Sequence, residues 1–221
     1  MTESAGGSTD KPRRPVAVPV VALVSMTALG ITALLGGLNE APEAPDPLGP
    51  GAVLDQGLYS TTFVESRLTV EPPANEFEEE KRFVELLFDV TNQADATVPV
   101  GLPAQKIEQA FATTSFAGSL IKITPAFGEG AGPFAYALAK GGETQQLHPG
   151  VRAQVVLRYR LAEGQQPPEK ITLDVASYEL QPDFYSDVPR WQMISKEVSS
   201  RRFLPEIKAR VTLPVEKGAA A

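Results

Sequence analysis

The chain has 221 residues with 27 acidic and 20 basic side chains, one histidine and no cysteine. The acidic balance disfavours nucleic acid and anionic lipid headgroups, the missing thiols exclude a disulfide framework and a cysteine nucleophile, and a lone histidine excludes multi-histidine zinc sites and two-histidine acid/base chemistry. With 43% hydrophobic residues, the length suits one domain held by its own apolar core.

Residues 1–14, MTESAGGSTDKPRR, are polar and too short to bury anything, and are expected to form a disordered cytoplasmic tail. Val16 to Leu38 contains no charged side chain. At about 1.5 Å of rise per residue that run is long enough to cross a bilayer's hydrocarbon core, so a transmembrane helix is expected over 15–38. Lys11, Arg13 and Arg14 precede it and Glu40, Glu43 and Asp46 follow it. Positive charge beside a span stays in the cytoplasm, which makes this a single-pass plasma-membrane protein with everything from Asn39 onward outside. A cleaved secretory signal would need a shorter apolar stretch and a small-x-small site, whereas Ala41 and Ala44 are each followed by proline; an uncleaved anchor is expected. Ala28, Thr32 and Gly36 form a small-xxx-small stripe of the kind that lets two helices approach.

Residues 39–53, NEAPEAPDPLGPGAV, mix proline, glycine and acid and are expected to form an extended stalk. From 54 to 216 the dominant signal is period two, the repeat of strands with one wet and one buried face. The segments Tyr59–Val70, Arg82–Asn92, Ser119–Thr124, Val151–Leu161, Ile171–Tyr178, Trp191–Val198 and Ile207–Val215 read as strands, about seven in all. In the second, Val84, Leu86, Phe88 and Val90 share one face while Glu85 and Asp89 lie on the other. One helix is expected in PAQKIEQAFA, with Pro103 in its first turn and Ile107, Ala110 and Phe111 at helical spacing. The connections at 93–116 and 125–147 are long, and 217–221 is expected as a tail.

Antiparallel strands with one-sided apolar faces must bury those faces against each other, and two packed sheets do so. The fold class expected is therefore all-β, an immunoglobulin-like antiparallel β-sandwich behind one N-terminal transmembrane helix. The runs YSTTFVESRLTV, RFVELLFDVTNQ, LHPGVRAQVVLRYRL and ITLDVASYEL, with the turn Leu147-His148-Pro149-Gly150 before a long strand, resemble the small immunoglobulin-like domains of actinobacterial envelope proteins, some secreted and some anchored. That resemblance covers about residues 54–180, carries no catalytic motif, and implies an extracytoplasmic binding or accessory role.

The best local site candidate is QPDFYSDVPRW, where Asp183, Phe184, Tyr185, Asp187, Arg190 and Trp191 set aromatic faces beside carboxylates, the chemistry of sugar rings and of protein hot spots. His148 reads as an exposed turn residue, and Glu76, Glu78, Glu79 and Glu80 as a solvated loop without the pattern of a calcium loop. The glycine-rich Phe127–Pro133 lacks the lysine of a phosphate loop. Arg201, Arg202, Lys208 and Arg210 give the last segment local positive charge on an acidic domain.

No catalytic, cofactor or metal site is expected. The function expected is that of a non-enzymatic, membrane-anchored interaction or accessory protein of the cell envelope, with another membrane or envelope protein or a cell-wall glycan as partner. The alternative is a glycan-binding module built on the aromatic and acidic segment at 183–191.

Overall fold

The period-two runs become strands, and their apolar faces converge on one core. The computed structural model describes residues 44–217 except 113, 129, 140, 184–187, 200 and 201. The first strands are β1 (Asp46–Leu48), β2 (Val53–Asp55), β3 (Tyr59–Glu71), β4 (Lys81–Asn92) and β5 (Val98–Pro99). After two 3-10 turns, Ile107–Ala112 and Ala117–Ser119, come β6 (Leu120–Thr124), β7 (Phe134–Ala139), β8 (Gly142–Thr144), β9 (Gln146–Leu147) and β10 (Arg152–Arg160). The chain continues through β11 (Lys170–Ala176), β12 (Tyr178–Gln181), β13 (Arg190–Met193), β14 (Ser195–Ser199), β15 (Arg202–Pro205) and β16 (Ile207–Lys217).

Hydrogen bonding runs in the order β6-β11-β16-β3-β4-β10-β7-β8, with β1 on β16 and β2 on β3. The strand β16 is shared: Ile207–Pro214 pairs antiparallel with β11, and Val215–Lys217 pairs parallel with Ser66–Leu68 of β3. The path closes into two layers, because Ile171, Leu173, Val175, Ala209, Val211 and Leu213 from one side share a core with Val84, Leu86, Phe88, Val90, Val155 and Leu157 from the other. This is an all-β, sandwich-like arrangement. At its centre Tyr59 meets Phe116 and Tyr178 edge-on at 5.6 and 5.8 Å between ring centroids, and Phe88 meets Phe116 at 5.5 Å. Such contacts fix ring orientation beyond what area burial alone does.

Several expectations are corrected. Asp46–Leu48 and Val53 were expected in the stalk but belong to strands β1 and β2, so any stalk ends by residue 45. Pro47 is tolerated there because β1 is an edge strand, where a missing N–H removes no ladder bond. The helix expected from Pro103 is a 3-10 turn confined to Ile107–Ala112. The strand expected over Trp191–Val198 breaks at Ile194 into β13 and β14, and that over Ile171–Tyr178 breaks at Ser177 into β11 and β12. The connection 125–147 contains β7, β8 and β9, which periodicity missed because the buried face of β7 is Ala135 and Ala137 while Phe134 and Leu138 are exposed. Lys217, expected as the first residue of the C-terminal tail, is the last residue of β16; the span expected over 15–38, the tail 1–14 and the rest of the C-terminal tail, 218–221, lie outside the described residues. No helix among the described residues is long and apolar enough to cross a membrane.

The outer face of β4 is also not the wet face expected, since Phe83, Glu85 and Leu87 are all buried there. Glu85 sits in a cross-strand row between Arg67 of β3 and Arg158 of β10. Arg67 donates from Nε to Glu85 Oε2 at 3.1 Å. Arg158 Nε lies 3.2 Å from Glu85 Oε1 but off its N–H direction, so that contact is Coulombic; the guanidinium's directed bond goes to Glu71 and its plane covers the Phe83 ring at 3.7 Å.

Candidate functional site

Between β11 and β16 the chain leaves the sandwich at Ser177 and returns at Glu206, and in between folds into two hairpins, β12 with β13 and β14 with β15. Backbone bonds seat this insertion: Tyr178 N–H donates to Gln56 O at 2.7 Å, Ile194 N–H to Ser177 O at 2.9 Å and Glu206 N–H to Ile194 O at 2.9 Å. Gln56 is itself locked, its Nε2 donating to Ala176 O at 2.8 Å while its Oε1 accepts from Thr61 Oγ1 at 2.6 Å. The Tyr178 hydroxyl donates to Ser115 O at 3.1 Å and the Tyr59 hydroxyl to Thr114 O at 2.5 Å. Burial raises both phenol pKa values, so each hydroxyl stays protonated and keeps donating. Gly57 supports the seat from below with φ 78°, and a Cβ there would lie 2.1 Å from Tyr178 O.

In the first hairpin Tyr178 opposes Met193 and Leu180 opposes Trp191. Opposed residues, and residues two apart, share a face of a ribbon. One apolar stripe thus runs outward from the core, from buried Tyr178 and Met193 through half-buried Trp191 to Leu180, which is 53% exposed. The polar face carries Glu179, Gln181, Arg190 and Gln192. In the second hairpin Phe203 and Val198 are exposed, and Arg202 donates to Glu108 at 2.9 Å, tying the hairpin to the 3-10 turn. The Glu108 carboxyl lies below the usual carboxylate range because its own backbone N–H and Arg202 both donate to it.

Of the six site residues expected from sequence, Phe184, Tyr185 and Asp187 lie outside the described residues. The structure brings Asp183 and Arg190 together as an ion pair at 3.1 Å. It places Trp191 on the stripe against Gly57 rather than on an open platform, its Cζ3 3.4 Å from where a Gly57 Cβ would stand. Sequence reasoning missed Leu180, Val188, Val198 and Phe203, all large apolar side chains exposed on this one insertion. The period-two spacing of Tyr178 and Leu180 was the available signal. Of the basic residues near the end, Arg202 binds Glu108 and Arg210 binds Asp174 through two bonds, at 2.6 and 3.1 Å; Arg201 lies outside the described residues.

Elsewhere, His148 Nδ1 lies 3.0 Å from Thr97 Oγ1 in an exposed turn. Glu78 pairs with Lys81 at 3.0 Å. Among the described residues no group of three or more histidine or carboxylate side chains is arranged to hold a metal ion.

No protein-family model matches the chain, and no curated protein matches it. Among solved structures, an uncharacterized β-sandwich protein from Clostridium difficile 630 is similar, with a TM-score of 0.38 and 8% sequence identity over 61% of this chain and 91% of that one.

Proposed function

We propose that this chain is a non-enzymatic, membrane-anchored interaction protein of the cell envelope, whose extracytoplasmic sandwich uses the double-hairpin insertion to bind another membrane or envelope protein. The observation that carries this is the insertion itself, where Leu180, Val188, Val198 and Phe203 are exposed beyond anything the core requires. Exposed apolar side chains grouped on one projecting element are the composition of a partner contact. The charge-free run 16–38 and its basic N-terminal flank support the anchor. Residues 39–45, seven in all, separate that run from β1, and at about 3.5 Å each they reach no more than about 25 Å. A partner close to the bilayer follows.

The finer fold assignment, immunoglobulin-like, is part of the same proposal. It is supported by the strand order β3-β4-β10-β7 in one layer and β6-β11-β16 in the other, with β1 parallel to β16 along its edge. The glycan-binding alternative needs an open aromatic platform, and the half-buried position of Trp191 favours the protein partner instead.

Carbonate washing of native membranes followed by photo-crosslinking from positions 180 and 203 tests this. The expected result is full-length protein in the pellet and one stoichiometric crosslinked partner, lost in the Leu180→Glu, Phe203→Glu double variant. Release by carbonate overturns the anchor, and no partner at either position overturns the interface.

A further inference from the structure

A cleft of about 610 Å³ opens where the insertion leaves the sandwich. It falls within the roughly 300–1,000 Å³ typical of small-ligand sites. Asp55, Ser177, Tyr178, Ile194, Glu206 and Lys208 line it. The backbone bonds that seat the insertion join residues of its lining, Tyr178 to Gln56, Ile194 to Ser177 and Glu206 to Ile194, and so hold the backbone around it in place.

Its polar groups are unspent. Glu206 and Lys208 make no ion pair among the described residues, although both are exposed at the rim. Asp55 accepts one hydrogen bond, from Gly57 N–H to Oδ1 at 2.9 Å, and has no cationic partner among the described residues. Ser177 is 8% exposed, and its hydroxyl makes no hydrogen bond among the described residues. Asp55, Glu206 and Lys208 are exposed to water, so a ligand that meets all three exchanges water contacts for directed ion pairs at a preformed concavity.

The geometry points to a small zwitterion, an amino acid or short peptide, as the ligand of this cleft, and we propose it as such. Two carboxylates with one ammonium complement a molecule that carries one ammonium and one carboxylate. The ligand's ammonium lies between Asp55 and Glu206, its carboxylate meets Lys208, and a polar backbone group reaches Ser177 Oγ. Ile194 supplies an apolar wall for one ligand side chain. A neutral sugar hydrogen-bonds to these groups but offers no charge to the two carboxylates or to Lys208. The proposal is independent of the partner assigned to the hairpins.

The chain's single tryptophan, Trp191, lies against Gly57, which itself lines the cleft, and serves as a reporter. Full-length protein in detergent micelles is titrated with the dipeptide Ala-Ala, read by tryptophan fluorescence and by calorimetry on the same sample. The expected result is saturable binding that weakens at least about ten-fold in Glu206→Gln and in Lys208→Gln. Binding should also disappear for N-acetyl-Ala-Ala and for the Ala-Ala amide. These variants change exposed side chains, and unchanged far-ultraviolet circular dichroism shows that the fold survives. No heat and no fluorescence change up to saturating dipeptide, affinity indifferent to both variants, or glucosamine binding as tightly as the dipeptide overturns the proposal.

Discussion

Glu85 lies on the outer face of β4 with a guanidinium on either side, and its side chain is 7% exposed. A carboxylate so placed is stable only while its counter-charges remain, and they in turn lean on it: Arg67 also contacts Glu65, and Arg158 also contacts Glu71. Glu85→Gln keeps the shape but leaves two cations facing a neutral amide. The expected loss is about 2–3 kcal/mol, toward the low end for a buried pair because Arg67 is 42% exposed. A shifted urea midpoint at unchanged slope measures it. The residue also shows the limit of alternation as a guide to burial. Glu85 and Asp89 occupy the face opposite Val84, Leu86, Phe88 and Val90, as their spacing predicts, yet that face is closed over by side chains from the neighbouring strands.

At the scale of elements, the double hairpin is held to the sandwich by the backbone bonds at Ser177, Ile194 and Glu206 and, at its far side, by the Arg202–Glu108 pair. That pair is exposed, so it steers local opening more than global stability. Arg202→Ala is expected to speed amide exchange a few-fold in β14 and β15 while leaving exchange in β10 unchanged. Acid produces the same loosening in the unaltered chain. Glu108 has its pKa lowered in the folded state, so its contribution is present above the ordinary carboxylate value of about 4.3 and is lost as pH falls through the lower folded one. Hydrogen exchange at two pH values, with the variant as reference, separates this pair from other acid effects.

For the whole molecule, three phenols are built into a largely aliphatic core. Tyr59, Tyr159 and Tyr178 have pKa values raised by burial, with Tyr178 adding to the effect at Tyr59. A group whose folded pKa is raised contributes stability that is complete below its unfolded value, about 10, and disappears as pH rises toward the folded one. The sandwich is therefore expected to unfold in alkali, with these three phenols ionising together with the loss of circular dichroism rather than before it. Absorbance at 295 nm recorded beside the far-ultraviolet signal checks this. Phenol ionisation complete before unfolding would place the rings in water.

The strands β10 and β16 were legible along the chain because apolar residues recur at every second position over nine or more residues, β4 because Val84, Leu86, Phe88 and Val90 do so, and β3 by its β-branched and aromatic content. A repeat of that length determines both the element and its buried face. The hairpin β7–β8 was not legible, because its inward residues are alanines whose burial depends on closeness of packing rather than on hydrophobicity. Nor was β1, whose Asp-Pro-Leu acquires strand geometry only by lying parallel to β16, a partner more than 160 residues further along the chain. The candidate site divides in the same way. Sequence singled out the segment 183–191 by its aromatics and charges, but whether Trp191 faces solvent or core was decided by Gly57 and Tyr178. The cleft brings together Asp55, Ser177 and Lys208 from three separate stretches of chain. The sequence by itself determined the all-β class, because periodicity is local. Only the tertiary structure decided which charges are paired and which apolar side chains are left over, because both depend on contacts between residues distant in the chain.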